Sequence, residues 1–407
     1  MTAQNTNQAI EHFDIAIVGG GLAGTTLALA IAQQSSHYKV AVIEPFSFDE
    51  SAAHPSFDGR ALALAYGSAK LFNQWQLWQD IQPHVGAIEQ IQVSDAGHLG
   101  YTQLDCASHQ LPALGYVIEA QVLGGLLAKR YAALCRQSSQ FSLFCPEKVE
   151  QLTQANEQVT LSLSSGKQIT SQLVIAADGA DSFIRQQTGI NQAIEDYPQV
   201  AITANVEVER TEHLAQVNTA YERFTESGPL AMLPMSNNRY GLVWCVNRYD
   251  AGHYLALCDG QFTSALQAKF GFKAGKISKV GKRASYPLKR VYAEQNYHHR
   301  CLLMANASHT LHPIAGQGLN LGLRDIASIV EVLANAEEQD IGLYSIWQQH
   351  LSQRQVDIDR LLTATDGLVR LFSNQTQPQL LARNASLLIL NQLSWCKDSF
   401  AKAAMGL

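Results

Sequence analysis

Residues 15–32, IAIVGGGLAGTTLALAIA, join a short β-branched run (Ile15, Ile17, Val18) to an Ala/Leu-rich run through Gly19, Gly21 and Gly24. An uncharged stretch of this length passes a hydropathy filter for a membrane span. Its glycines punctuate it instead as strand, tight turn and buried helix. In the GxGxxG spacing the first glycine allows the turn, the second lets a pyrophosphate approach the backbone, and the third lets the helix pack on the strand. The helix N-terminus then favours the phosphate charge. A second strand over 39–43 ends in Glu44, twenty residues beyond Gly24, where a carboxylate can accept both ribose hydroxyls and disfavours a 2′-phosphate. The tightly held dinucleotide is therefore expected to be FAD or NAD rather than NADP. A plain glycine-rich turn in an α/β core, the alternative, would not require Glu44.

Two further stretches carry chemistry. In LVIAADGADSFIR, 173–185, a buried strand runs into Asp178 and Gly179, with Ser182 and Arg185 at the opening of the next helix; without other context this reads equally as a strand, a turn and a capping aspartate. In MANASHTLHPIAGQGLNLGLRD, 304–325, Asn306 follows an apolar strand at a position where it can meet a ligand hydroxyl. His312 and Pro313 then impose an extended turn, and Gly316 and Gly318 let backbone approach a flat ring. Leu319, Leu323, Ile326, Val330 and Leu333 follow as one apolar helical stripe.

Composition excludes some classes of function. With 46% hydrophobic and 16% charged residues the 407-residue chain is globular rather than disordered, and a net charge of -6 without a Lys/Arg block gives no footprint for nucleic acid. The seven cysteines are odd in number and form no CxxC pair, so scattered reduced thiols in a cytoplasmic protein are expected, with neither disulfide framework nor metal site. No secretory signal is visible in MTAQNTNQAIEHF.

The three motifs, in this order and spacing, resemble those of the FAD-dependent aromatic hydroxylases with the p-hydroxybenzoate hydroxylase fold. HPSFDGRALALAYGS (54–68), FTESGPLAMLPMS (224–236), LVWC (242–245), GKRASYPL (281–288) and TLHPIAGQGLNLGLRD (310–325) resemble the ubiquinone-biosynthesis branch of that family. The resemblance implies an α/β fold: a Rossmann-like FAD-binding domain of the glutathione-reductase ββα type over 1–86, 106–190 and 286–340, an inserted mixed-sheet substrate domain over 87–105 and 191–285, and a C-terminal helical region over 341–407. It implies that Gly19, Gly21, Gly24 and Glu44 hold the ADP half of FAD, with Arg60 near the cofactor in a mobile loop. Asp178 and Gly179 would serve both FAD and a passing nicotinamide nucleotide. Asn306, Gly316, Gln317, Gly318, Leu319 and Asn320 would hold the ribityl chain and flavin ring. Two positions of the implied cofactor-binding set depart from the common pattern: Gln121, expected at the cofactor, stands where many relatives have arginine, and Ala305-Asn306 replaces Gly-Asp. An asparagine carbonyl still accepts a ribityl hydroxyl.

The implied activity is hydroxylation of the ring of a polyprenyl phenol, 2-polyprenyl-6-methoxyphenol. NADPH or NADH reduces FAD, dioxygen adds to the reduced flavin, and one oxygen atom passes to the ring. No second strand-GxGxxG-helix is present, so the hydride donor is expected to dock transiently. His312 and Pro313 are the catalytic candidates, His309 a structural one, and Met232, Leu233, Met235 and Trp244 the candidates for an apolar substrate pocket. Leu387, Leu388, Leu390, Leu393, Trp395 and Phe400 recur at helical spacing. That pattern suits packing on its own domain or on a partner, and also a peripheral contact at the inner face of the membrane or a place in a quinone-biosynthesis complex. The alternatives are a hydroxylase acting at another ring position of the same pathway, and a non-catalytic flavin-fold scaffold.

Overall fold

The computed structural model describes residues 10–48, 54, 58–97, 101–210, 217–310, 316–373 and 405–406, without side chains for 364–373. Strand Glu11–Val18 leads into Gly19, whose φ of +102° is a conformation that a side chain disfavours, and helix Leu22–Gln34 follows. A Cβ at Gly24 would overlap the Gly19 carbonyl oxygen and crowd Ile17, so helix and strand can approach only at a glycine. The uncharged stretch 15–32 is thus strand, turn and a buried helix. No described helix is long and apolar enough to cross a membrane.

Among the described residues the first sheet has eight strands. Five run parallel in the order Cys301–Leu303, Gln168–Ala176, Glu11–Val18, Val40–Ile43, Phe141–Phe144. Their register aligns the carboxyl ends, because Val18 pairs with both Ile43 and Ala176, and Ala176 pairs with Leu303. The segments that follow, Gly19 onward, Glu44, Ala177–Gly179 and Met304–Asn306, therefore leave the sheet at one edge, where open parallel sheets bind ligands. Ile15, Ile17, Val40 and Val42 on one face pack with Leu323, Ile326, Val330 and Leu333 of helix Gln317–Asn335. Leu319, at the start of that stripe, packs partly on the same core and also borders the cavity described below, whereas Leu321 packs on another face against Ile358 and Leu362 of helix Tyr344–Ser373.

The second sheet has nine strands among the described residues and is centred on the long strand Gln192–Glu209. Its pairings are antiparallel except that Thr219–Thr225 runs parallel to Gln90–Asp95. One face is covered by helices Arg248–Ala256 and Asp259–Phe270 through Trp244, Phe262, Leu266 and Met232. A small sheet, Ala61–Ala65, Gly115–Glu119 and Gly86–Ile88, lies beside it. Helix Tyr344–Ser373 ends the described main body, and Met405 is buried against Met235 and Leu114. The apolar positions between 387 and 400 lie outside the described residues, as does Cys396; the six described cysteines are free thiols.

Gly24→Ala is expected to lower stability by about 1–3 kcal/mol, since a methyl must displace backbone rather than a flexible side chain. Urea denaturation of the flavin-free protein measures it, and a change within about 0.5 kcal/mol would contradict the tight helix-strand contact.

Candidate active site

A single cavity of about 1360 Å³ runs from the carboxyl edge of the first sheet to the open face of the second. That exceeds the roughly 300–1,000 Å³ of a pocket for one drug-sized ligand. At one end Gly19, Gly21 and Leu22 line it. Helix Leu22–Gln34 has Gly21 as its N-cap and no side chain satisfying its first N–H groups. Helix Gln317–Asn335 opens onto the same cavity through Gly316, Gln317, Gly318 and Leu319. Its N-cap, Gly316, has φ +61° and likewise no side-chain cap. By contrast, the nearby helix Phe183–Gln187 is capped by Ser182, whose Oγ accepts from Arg185 N at 3.1 Å. Two positive helix ends without a side-chain cap from the described residues, both at one cavity, fit an anionic ligand.

Two acidic positions, Glu44 and Asp178, are expected in this region. Glu44 is buried and held: its Oε2 accepts from Gly20 N at 2.6 Å, its Oε1 accepts from Phe46 N at 3.0 Å, and His54 Nε2 lies 3.3 Å from Oε1. Sequence reading missed His54. Asp178 Oδ2 accepts from Ile184 N at 3.2 Å, while Oδ1 is buried with no hydrogen-bond partner among the described residues. Burial, only partly offset by these hydrogen bonds, raises its carboxyl above the usual range. An orphaned acceptor in a cavity wall fits a ligand hydroxyl. Arg60 pairs with Asp58 at 3.0 Å and lies over the Tyr286 ring, and the Tyr286 hydroxyl donates to Asp58 at 2.7 Å, so these contacts hold Arg60 at the cavity wall.

Asn306 lines the cavity in a 3-10 turn, Ala305–Ala307. The turn is tied down on both sides. Asp325 Oδ2 accepts from Ala305 N at 3.0 Å, and Arg185 Nη1 donates to the Ala307 carbonyl at 2.8 Å. Asp325 is itself paired at 2.7 Å with Arg354 on the C-terminal helix. His309 is buried beside Asp325, outside the cavity wall, and burial lowers its pKa, so it stays neutral and structural. His312 and Pro313 lie outside the described residues.

Several expectations need correction. Gln121 does not reach the cavity: it is exposed in the first turn of helix Ala120–Gln137 and donates to Glu119 at 2.7 Å. Of the four substrate candidates only Leu233 lines the cavity. Met232 and Trp244 point to the opposite face, because side chains alternate along a strand, and there they pack under the helices. Met235, just past its strand, joins the core of Ile88, Leu104 and Leu114. Asn320 borders the cavity, but its side chain is fully engaged: Oδ1 accepts from Ala65 N and Ser68 Oγ, and Nδ2 donates to the Ala63 and Gly316 carbonyls. It clips the small sheet to the helix rather than offering a free group to a flavin.

The fold and cavity define a dinucleotide-binding protein with a second, apolar-walled compartment. The FAD binding domain family model matches residues 12–341, and the chain belongs to that family. It is 34% identical over 407 residues to the ubiquinone hydroxylase UbiL of Rhodospirillum rubrum, covering 100% of this chain and 92% of that one. It is 30% identical over 411 residues to the 3-demethoxyubiquinol 3-hydroxylase of Escherichia coli, covering 99% and 100%. In fold it resembles the p-nitrophenol 4-monooxygenase PnpA of Pseudomonas putida, with a TM-score of 0.78, 15% identity, and 97% and 99% of the two chains covered. It also resembles HpxO of Klebsiella pneumoniae complexed with FAD and uric acid, with a TM-score of 0.71, 16% identity, and 97% and 96% covered. The chain is thus an FAD-binding protein related to ubiquinone-pathway hydroxylases.

Asn320→Ala is expected to destabilise the protein by roughly 1–3 kcal/mol, since the buried Ala65 N–H and the partly buried Ala63 and Gly316 carbonyls lose their partner. Denaturant unfolding of the flavin-free variant checks this. A near-neutral result would mean that the clip contributes nothing.

Proposed function

We propose that the protein is an FAD-dependent monooxygenase that hydroxylates the ring of a polyprenyl phenol, 2-polyprenyl-6-methoxyphenol, in ubiquinone biosynthesis, with NADH or NADPH as hydride donor and dioxygen as oxygen source. The observation that carries this reading is the continuity of the cavity: two uncapped helix ends and Asp178 at one side, and at the other an apolar wall that includes Ile91, Val93, Leu104 and Leu233. Full-length similarity to a ubiquinone hydroxylase supports the substrate class. A relative named for hydroxylation at ring position 3 keeps another ring carbon as the second reading.

Bound FAD supplies hydride acceptance and activation of dioxygen. The chain's part is to hold it and to shape its surroundings. We assign Gly19, Gly21 and the first turn of helix Leu22–Gln34 to the pyrophosphate, Glu44 to the adenosine ribose, and Asp178 Oδ1 and Asn306 to hydroxyls of the linking chain. The N-terminus of helix Gln317–Asn335 favours negative charge on the ring system, by on the order of 0.3–2 kcal/mol. The apolar wall excludes water from the substrate ring. A prenyl tail places the substrate at a bilayer, so we also propose a peripheral membrane contact and association with other quinone-making enzymes.

A prenylated phenol should accelerate NAD(P)H oxidation, and with isotopically labelled dioxygen the product should gain one labelled oxygen atom by mass spectrometry; an unlabelled product would point to a reductase or dehydrogenase. Asn306 carries its own expectation. Asn306→Asp keeps an acceptor and should hold FAD as tightly or more so. Asn306→Leu leaves a ligand hydroxyl without a partner at a cost of about 1–3 kcal/mol, so FAD binding should weaken by roughly 5-fold to 150-fold. Equal FAD dissociation constants for asparagine and leucine would remove Asn306 from the cofactor site.

A further inference from the structure

Around strand Thr219–Thr225 the second sheet presents a largely apolar surface to the cavity, and one carboxylate interrupts it; the polar and charged lining residues Gln192, Tyr286 and Lys289 stand on strands further along the sheet. Glu222 sits in strand Thr219–Thr225, opposite Ala231 on one neighbouring strand and Val93 on the other. Ala220 and Phe224 flank it along its own strand, and Leu104 and Val243 complete the wall around it. No hydrogen bond or ion pair to another described residue engages it, and burial alone pushes its carboxyl up to about 7. The titratable groups on this face of the adjoining strands are Asp95, at the end of Gln90–Asp95, and Cys245, on Arg239–Asn247. The Cys245 thiol is raised first by its own burial and then by the charge of Glu222. The strands carrying Ala231, Thr102 and Ala201 contribute no titratable group to this part of the wall. An unpaired carboxylate facing apolar space costs stability that a core residue would not, and such groups concentrate where a ligand completes them.

We propose that Glu222 is the group that receives the phenolic hydroxyl of the substrate, accepting its hydrogen bond on binding and its proton in turnover. This rests on the monooxygenase reading above. In the step, the phenol O–H bond breaks, its electron pair stays on the ring oxygen, and a new O–H bond forms on a Glu222 carboxyl oxygen. Nothing is oxidised or reduced, and the phenolate ring is the more electron-rich partner for an electrophilic oxygen. The proton returns to the phenolate oxygen of the product, which resets the carboxylate. A carboxyl near 7 is matched to this exchange around neutral pH.

Two measurements test the assignment. Binding is read from flavin fluorescence with 2-farnesylphenol and with its O-methyl ether, which keeps the shape and loses the donor. The holoprotein should prefer the phenol by about tenfold or more; Glu222→Leu should abolish the preference, and Glu222→Gln, with an amide carbonyl, should keep part of it. Turnover is read from kcat/KM against pH. It should rise with pH through about 7, because only the ionised form accepts the proton. In Glu222→Gln that limb should vanish and the plateau should fall about 100-fold or more, with FAD content unchanged. Equal affinity of the native protein for phenol and ether, or an unaltered pH limb in Glu222→Gln, overturns the proposal. Failure to incorporate labelled oxygen overturns the monooxygenase reading instead, and the phenol-to-ether comparison still judges Glu222.

Discussion

A helix begins with backbone N–H groups that no intrahelical carbonyl can reach, and here two helices leave those groups uncapped at one cavity. The remaining architecture positions these two ends. The parallel register that brings Val18, Ile43, Ala176 and Leu303 level places the glycine turn, Glu44, Asp178 and the Asn306 turn at one edge. Close packing at Gly24 fixes the first helix on its strand, and the Asn320 clip fixes the second against the small sheet. Side-chain caps at Gly21 and Gly316 would stabilise each helix by about 1 kcal/mol. Their absence transfers that interaction to a ligand.

The buried charges behind the site serve geometry rather than raw stability. Asp325 and Arg354 are both largely buried, and taking such a pair out of water costs about as much as their attraction returns. The arrangement is satisfied only as a network. Asp325 also accepts from Ala305 N, and Arg354 also donates to the Leu321 carbonyl and pairs with Asp357. Losing one partner would leave a buried charge unmatched beside the Asn306 turn. The C-terminal helix, remote in sequence from every cofactor motif, is coupled in this way to the turn that lines the cavity.

What could be read from the sequence was what local spacing encodes. The glycine turn, Glu44, the Asp178-Gly179 turn and the Gly316 helix start each depend on residues within a few positions, and all line the cavity. The misses have two physical origins. Met232 and Trp244 have the apolarity of a pocket lining, but a strand turns alternate residues to opposite faces, and these two pack under the helices while the cavity lies on the other face. Asn320 and Arg185 act on partners 252 to 257 and 122 residues away respectively, which spacing cannot reveal. Glu222, between Tyr221 and Arg223, reads as an ordinary solvent-facing acid until the register places it on the cavity side.

The substitution of Ala305-Asn306 for Gly-Asp, one of the two departures from the common pattern, has a physical resolution. Ala305 adopts φ +48°, a left-handed conformation that favours glycine and costs a side-chain-bearing residue about 1–2 kcal/mol. The conformation persists because its neighbours determine it. The Ala305 N–H donates to the Asp325 carboxylate, and the Ala307 carbonyl accepts from the Arg185 guanidinium. Hydrogen bonds to charged groups contribute about 1.5–3 kcal/mol each, so the two together outweigh the strain. The turn is therefore held by groups outside it, and neither the missing glycine nor the missing aspartate releases it. Asn306 remains at the cavity wall with a carbonyl acceptor to present. What the exchange removes is a negative charge, and what it keeps is the hydrogen-bond acceptor that a ligand hydroxyl requires.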